Sequence, residues 1–127
     1  MNDEQYRDHC LSLLSEFAAT MTQRTAALAE DDSLRQLAAS FAALAAGEGN
    51  LYEDTPGLIS RLFTTYTDFA PTFPRQLLWF FGGDCLHYMP DEEIAVFQAL
   101  EDQRLEAAAT GERFDPLAAR AKLLKLQ

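Results

Sequence analysis

Apolar residues recur along most of this chain at steps of three and four, the spacing that puts them on one face of an α-helix. The first such segment predicts a helix over residues 3–29. Its apolar stripe consists of Tyr6, Cys10, Leu13, Phe17, Met21 and Leu28. After a turn capped by Asp32 or Ser33, the same spacing predicts a second helix over residues 33–46 that ends at Gly47. The two segments therefore suggest a hairpin of two helices, with an alanine-rich surface on the second.

Helix-starting signals divide the rest of the chain. Residues 47–54 are expected to form a loop, anchored to the core by Leu51 and Tyr52, and the pair Thr55 and Pro56 predicts a third helix over about residues 56–68. Pro90 precedes three acidic residues, which favours the start of a fifth helix that ends at Gly111. Its predicted inward side chains are Ile94, Phe97, Leu100, Leu105 and Ala108, and its polar segment 101–106 is expected to lie in solvent.

The last helix is predicted to be short. Asp115 and Pro116 form a typical start, and the helix should run to about Lys125. Its predicted inward residues are Leu117, Ala121 and Leu124. Basic residues at the end of a helix suit the helix dipole, so Arg120, Lys122 and Lys125 are interpreted in that way first and as a small basic patch second.

The segment 74–89, PRQLLWFFGGDCLHYM, is the most apolar part of the chain and contains its only tryptophan. Leu78, Phe81, Cys85 and Tyr88 continue the helical spacing through the pair Gly82 and Gly83. Glycine inside a helix costs roughly 1 kcal/mol relative to alanine, so these two residues oppose the interpretation. One alternative is that the helix ends at the glycines and restarts near Asp84. Because the apolar spacing carries through the glycines, we favour one continuous or kinked helix, buried between its neighbours.

No segment has the alternating pattern of a strand. The sequence therefore predicts an all-α fold, a single domain over residues 1–127 in which five or six helices surround the buried helix 74–89. At 127 residues, the chain is long enough to bury a substantial core.

Asp84, Cys85 and His87 form the candidate polar site. Asp84 and His87 are three residues apart, so their side chains can meet on one helix face. The pair could serve acid–base chemistry or half a metal site, but a hydrogen-bonded pair beside the core is the interpretation we favour. Cys85 could be a nucleophile with His87 as base, although its apolar face suggests packing. A zinc site with His9 and Cys10 has the right ligand types but unsuitable spacing.

Charge and cysteine content restrict the partners. Twenty acidic residues against ten basic ones give a net charge of −10, which disfavours direct binding to nucleic acid or to acidic membranes. Two cysteines without framework spacing suggest reduced thiols, and no signal peptide or membrane-spanning run is visible. We therefore expect a cytoplasmic protein.

These features favour an interaction protein over an enzyme. We predict no catalytic residue, cofactor or bound metal, and a protein partner that could be a second copy of the chain. Two alternatives stay open. One is a small enzyme or metal-binding protein that uses Asp84, Cys85 and His87. The other is an acidic inhibitor that mimics DNA, which would require regularly spaced exposed carboxylates.

Overall fold

The computed structural model describes residues 1–111 and 114–126, excluding the side chains of Leu117 and of residues 123–126. Its α-helices are α1 (Asp3–Thr25), α2 (Ser33–Ala45), α3 (Leu51–Thr65), α4 (Arg75–Phe81), α5 (Asp91–Thr110) and α6 (Pro116–Leu126). Two 3₁₀ helices, Ala70–Thr72 and Gly83–Tyr88, flank α4. The described residues contain no strand, and the all-α prediction is confirmed.

The chain divides into two compact units. The larger comprises residues 10–88, and the smaller comprises residues 1–9 together with residues 89–127. The single domain over residues 1–127 stays a prediction.

The larger unit is built around packed aromatic rings. Phe17 of α1 meets Phe41 of α2 edge-on, with 5.3 Å between the ring centroids, and meets Phe73 in the same way at 4.9 Å. Aliphatic side chains of α1 to α4 complete this core, and each is almost fully buried: Leu14, Met21, Leu37, Ile59, Leu62, Leu77 and Leu78. Burying a side chain of this size contributes about 1.5–3 kcal/mol, so hydrophobic packing dominates the stability of the unit.

The first two helices follow the sequence prediction closely. α1 ends four residues earlier than predicted, at Thr25, and the predicted stripe residue Leu28 is 37% exposed. Asp32 caps α2, as expected, by accepting a hydrogen bond from the Leu34 amide at 2.9 Å. Gly47 follows the end of α2 with a φ of 91°, a conformation that glycine adopts without steric cost.

The third helix begins earlier than predicted. The expected loop 47–54 is wrong in its second half, because Asn50 starts α3 by accepting a hydrogen bond from the Glu53 amide at 3.1 Å. Thr55 is consequently a buried residue inside the helix and not its cap. Pro56 lies in the second turn, where its missing N–H leaves the Tyr52 carbonyl without an intrahelical donor.

The favoured continuous or kinked helix over residues 74–89 is wrong, and the chain follows the alternative of a helix that ends at the glycines. α4 ends at Phe81, and Gly82 has φ 63° and ψ −150°, a region that only glycine occupies readily. A 3₁₀ helix then starts at Gly83. Leu77, Leu78, Cys85 and Met89 are buried, but Trp79, Phe80 and Phe81 are only half-buried, so the segment is not sheathed on all sides.

The smaller unit contains a buried arginine that the sequence analysis missed. Residues 101–106 were expected in solvent, yet Arg104 of α5 is only 4% exposed. Its guanidinium donates to Asp3 Oδ1 at 3.0 Å and lies over the Tyr6 ring, 4.5 Å from the centroid. Leu105 and Ala108, predicted inward, are exposed, because the buried face of α5 runs through Arg104 and Ala107.

α6 starts where it was predicted. The Asp115 carboxylate accepts a hydrogen bond from the Ala118 amide at 3.2 Å, and Arg120 lies over the Phe97 ring of α5 at 5.0 Å. Ala121, predicted inward, is exposed. The predicted inward side chains of Leu117 and Leu124, and the side chain of Lys125, lie outside the described residues.

Candidate functional site

The 3₁₀ helix Gly83–Tyr88 carries the three residues of the predicted polar site, and its far end is fixed to the larger unit. Arg75 of α4 donates a hydrogen bond to the Tyr88 carbonyl at 2.8 Å. The Tyr88 ring stacks on Phe63 of α3 with 4.6 Å between centroids, and its hydroxyl is 3.3 Å from Ser60 Oγ. These contacts hold the short helix against α3 and α4 although its own hydrogen bonding is limited.

Asp84 and His87 lie together on the solvent side of this helix. Residues three apart are aligned in a 3₁₀ helix, and His87 Nε2 is 3.9 Å from Asp84 Oδ1. That distance is too long for a hydrogen bond. Their side chains are 80% and 103% exposed for His87 and Asp84, so the favoured interpretation of a hydrogen-bonded pair beside the core is wrong. An exposed pair of this kind contributes little to stability.

The Cys85 side chain points away from Asp84 and His87 into the interior of the larger unit. The residue is 1% exposed. Burial raises the pKa of the Cys85 thiol, the Asp84 carboxylate raises it further, and a backbone hydrogen bond lowers it in part. Because the reactive form of cysteine is the thiolate, this environment works against a nucleophilic role. The structure therefore separates the three candidate residues into an exposed pair and a buried thiol.

The possible metal ligands are not gathered into a site. Cys10 and Cys85 are both buried thiols that are not joined in a disulfide. His9 is half-buried at the start of the chain, and His87 is exposed. Among the described residues, no group of three or more histidine, cysteine, aspartate or glutamate side chains has an arrangement that could hold a metal ion.

A surface group of aromatic rings lies at the junction of α3 and α4, and we call Tyr52, Phe80 and Phe81 the aromatic patch. Tyr52 is 53% exposed, although it was predicted to anchor a loop to the core. Its ring centroid is 5.9 Å from that of Phe80 and 6.4 Å from that of Phe81. Phe80 and Phe81 pack edge-on at 5.1 Å and are half-buried. The patch is thus a preassembled aromatic surface with one ring largely in solvent.

The sequence signal for this patch is weak. The run of aromatic residues before Gly82 fits a buried helix equally well, and its surface position depends on α4 ending at Phe81. Tyr52 reaches the patch only because Asn50 starts α3 early, which places Tyr52 on the second helical residue. A correct prediction of the Asn50 cap would have placed Tyr52 on a helix and not in a loop.

These features define the class of the molecule as an all-α protein with a partly exposed aromatic patch and a buried thiol whose pKa is raised. The chain belongs to the PA2817-like family, whose family model matches residues 2–127. No curated protein and no solved structure matches the chain. In the described part of the chain, no helix combines the length and apolar character needed to cross a membrane.

Proposed function

We propose that this protein is a non-enzymatic helical interaction domain of the cytoplasm that binds a protein partner through the aromatic patch. The observation that carries the proposal is the 53% exposure of Tyr52 in contact with Phe80 and Phe81. Tyrosine and phenylalanine are enriched in the buried centres of protein interfaces, and tyrosine is a frequent hot-spot residue. A ring that already packs on two neighbours also loses little side-chain freedom on binding.

The thiol chemistry of the alternative function has less support. Cys85 is buried and its pKa is raised, whereas a nucleophilic cysteine needs an accessible thiolate. Asp84 and His87 are exposed, and they follow Phe81, the last residue of α4, closely in the chain. Polar residues around an aromatic centre suit the rim of a protein interface, so the proposal gives them that role.

The test begins with a photo-crosslinking residue in place of Tyr52, and in a second variant in place of Leu105, expressed in the source cell. Leu105 of α5 is the matched control, because it is also a large exposed apolar residue, at 48%. The expected result is a discrete crosslinked protein at position 52 that is absent at position 105. Identical products at both positions would contradict a binding role for the patch.

The affinity of the identified partner then measures the contribution of the ring. Tyr52→Ala is expected to weaken binding by about tenfold or more, since hot-spot residues cost about 2 kcal/mol or more when truncated. Leu105→Ala should leave the affinity within about twofold. If the crosslinked partner is a second copy of the chain, native mass measured across concentrations will show a dimer. A strict monomer at high concentration would remove that version of the proposal.

A further inference from the structure

A second surface feature of the larger unit lies between α2 and α3. It is an open groove of about 300 Å³, lined by Ala43, Leu44, Glu48, Gly49, Asp54 and Leu58, and we call it the α2–α3 groove. Pockets for drug-sized ligands range from about 300 to 1,000 Å³, so this groove suits one or two side chains better than a cofactor.

The floor and the rim of the groove differ in polarity. Ala43, Leu44 and Leu58 provide apolar surface, whereas the charged lining residues are the carboxylates Glu48 and Asp54. The lining contains no basic side chain. The groove therefore offers an apolar contact beside two negative charges, and this combination complements an apolar side chain next to a cationic one.

Hydrogen bonds hold the backbone that carries the acidic rim. After α2, the amide of Glu48 donates to the Ala43 carbonyl at 2.9 Å, which ties the loop to the helix end. Asp54 Oδ2 accepts a hydrogen bond from the Asn50 amide at 2.9 Å, so that carboxylate has a defined position and retains acceptor capacity. A Cβ atom on Gly49 would lie 3.0 Å from Asp54 Oδ2 and 3.4 Å from Leu44 Cδ2. The absence of a side chain at Gly49 thus lets the Asp54 carboxylate and the apolar Leu44 side chain both lie close to this residue.

We propose that the α2–α3 groove binds a short segment of a basic partner protein, with an apolar side chain on the floor and an arginine or lysine against Glu48 and Asp54. This inference rests on the proposed interaction role and adds the chemistry of the partner. The net charge of −10 favours the same occupant, because it attracts basic partners over long range and repels a second copy of the chain.

The test uses three blocked tripeptides and the full chain labelled with ¹⁵N. The probes are Arg-Leu-Arg, its neutral analogue citrulline-Leu-citrulline, and Arg-Gly-Arg, which lacks the apolar side chain. Amide shifts of Ala43, Leu44, Gly49 and Leu58 should move with Arg-Leu-Arg. The citrulline analogue should bind more weakly, by up to about fivefold for each exposed ion pair that it cannot form. Added salt should weaken only the charged peptide.

Matched variants locate the binding site. Ala43→Leu fills the floor and should weaken Arg-Leu-Arg binding at least about tenfold, whereas Ala108→Leu, at an exposed position of α5 outside the groove, should leave it unchanged. Glu48→Gln should weaken binding, and Glu53→Gln, the same change at an exposed residue outside the groove, should not. The spectrum of each variant without peptide shows whether it is folded.

The outcomes separate this inference from the proposed function. Shifts confined to Tyr52, Phe80 and Phe81, or equal affinity for all three peptides, would overturn the groove assignment and leave the aromatic patch as the binding surface. Absence of any shift would also overturn it. If the unsubstituted chain is a dimer by native mass and Ala43→Leu is a monomer, a second copy of the chain occupies the groove. That result would also overturn the proposal. Loss of partner binding in Tyr52→Ala alone supports the proposed function and not the groove.

Discussion

Thr55 of α3 is fully buried, and its hydroxyl has no hydrogen-bond partner among the described residues. The other fully described buried threonine, Thr25 of α1, donates its hydroxyl proton to the Met21 carbonyl at 2.9 Å. A buried polar group without a partner costs about 1–3 kcal/mol, because it loses its hydrogen bond to water on folding. Both threonines are therefore buried, but the Thr25 hydroxyl makes a hydrogen bond and the Thr55 hydroxyl does not.

We expect Thr55→Val to raise the free energy of unfolding by about 1 kcal/mol, since valine has the same shape and lacks the unsatisfied hydroxyl. Thr25→Val should lower it or leave it unchanged, because that substitution removes a hydrogen bond. Urea denaturation of the two variants measures both effects. A loss of stability in Thr55→Val equal to that in Thr25→Val would mean that the Thr55 hydroxyl is satisfied.

Cys85 predicts a pH dependence of stability. Burial and the nearby Asp84 raise the pKa of its thiol in the folded state, whereas the unfolded thiol titrates near about 8.5. Above that pH the unfolded chain loses the proton first, so it binds fewer protons than the folded chain. The stability linked to the protonated Cys85 thiol is fully present below the pKa of the unfolded thiol. It is lost as the pH rises through the pKa of the folded thiol.

The free energy of unfolding should therefore fall more steeply above about pH 8.5 in the native chain than in Cys85→Ala. The variant loses packing at all pH values, but its difference from the native chain should shrink as the pH rises. Native thiol labelling gives an independent measurement, and Cys85 should react only on unfolding or at alkaline pH. Rapid labelling at neutral pH would contradict the buried environment.

Residue type misled the sequence analysis at one position of α5. The buried face includes Val96, Phe97, Leu100, Arg104 and Ala107. The predicted buried face contained Leu105 and Ala108 instead, because these residues are apolar, and it was therefore displaced by one residue from the observed face. An arginine can lie on a buried face when its stem packs and its guanidinium finds partners, here Asp3 and Tyr6. Those partners lie about a hundred positions earlier in the chain, so no local pattern predicts them.

At the scale of elements, the presence of helices was predictable, whereas the end of α1, the start of α3 and the end of α4 were not. Caps such as Asp32 and Gly111 lie where the apolar repeat also ends, so both signals agree. Around Gly82 the two signals disagree, because the glycines indicate the end of a helix whereas the apolar repeat continues. The step of three from Phe81 back to Leu78, and from Tyr88 back to Cys85, fits an α-helix and a 3₁₀ helix equally well, so the break leaves the apparent repeat intact.

Alanine substitutions at two glycines should change the free energy of unfolding in opposite directions, and the one at Gly82 tests this boundary. Gly82→Ala should lower the free energy of unfolding by about 1–3 kcal/mol, because alanine is strained at φ 63° and ψ −150°. Gly57→Ala in α3 should raise it by about 0.5–1 kcal/mol, because Gly57 is an exposed helical residue with open space at the Cβ position. Urea denaturation measures both. An alanine that is tolerated at position 82 would indicate a continuous helix through this segment.

The arrangement of the candidate residues could not be predicted from the sequence. Asp84, Cys85 and His87 lie on a 3₁₀ helix after Gly82, and not on the long helix that the apolar spacing predicted. Their division into an exposed pair and a buried thiol depends on the 3₁₀ geometry, which aligns residues three apart and turns Cys85 inward. The aromatic patch and the α2–α3 groove depend on tertiary packing of α3 against α4 and α2, which no single-helix pattern contains.

At the scale of the whole molecule, charge is the dominant feature. A net charge of −10 on 127 residues produces repulsion among the acidic side chains, and repulsion destabilises a compact state. The acidic residues cluster in places such as the turn at 30–32 and the start of α5. Favourable ion pairs in the described part of the chain include Arg104 with Asp3 at 3.0 Å, whose partner carboxylate is 88% exposed. This pair joins a buried guanidinium to an exposed carboxylate, and a single pair of this kind offsets little of the repulsion.

Added salt should therefore stabilise this protein. Raising sodium chloride from low concentration to about 0.15 M screens exposed charges beyond about 8 Å, and we expect the free energy of unfolding to rise by up to about 1 kcal/mol. Urea is the suitable denaturant, because guanidinium is itself a salt. The control is Glu30→Gln with Asp31→Asn, two exposed acidic residues after α1, which should be more stable at low salt and respond less to it. A fall in stability with salt would instead show that ion pairs outweigh the repulsion, and long-range attraction of a basic partner would then lose its electrostatic basis.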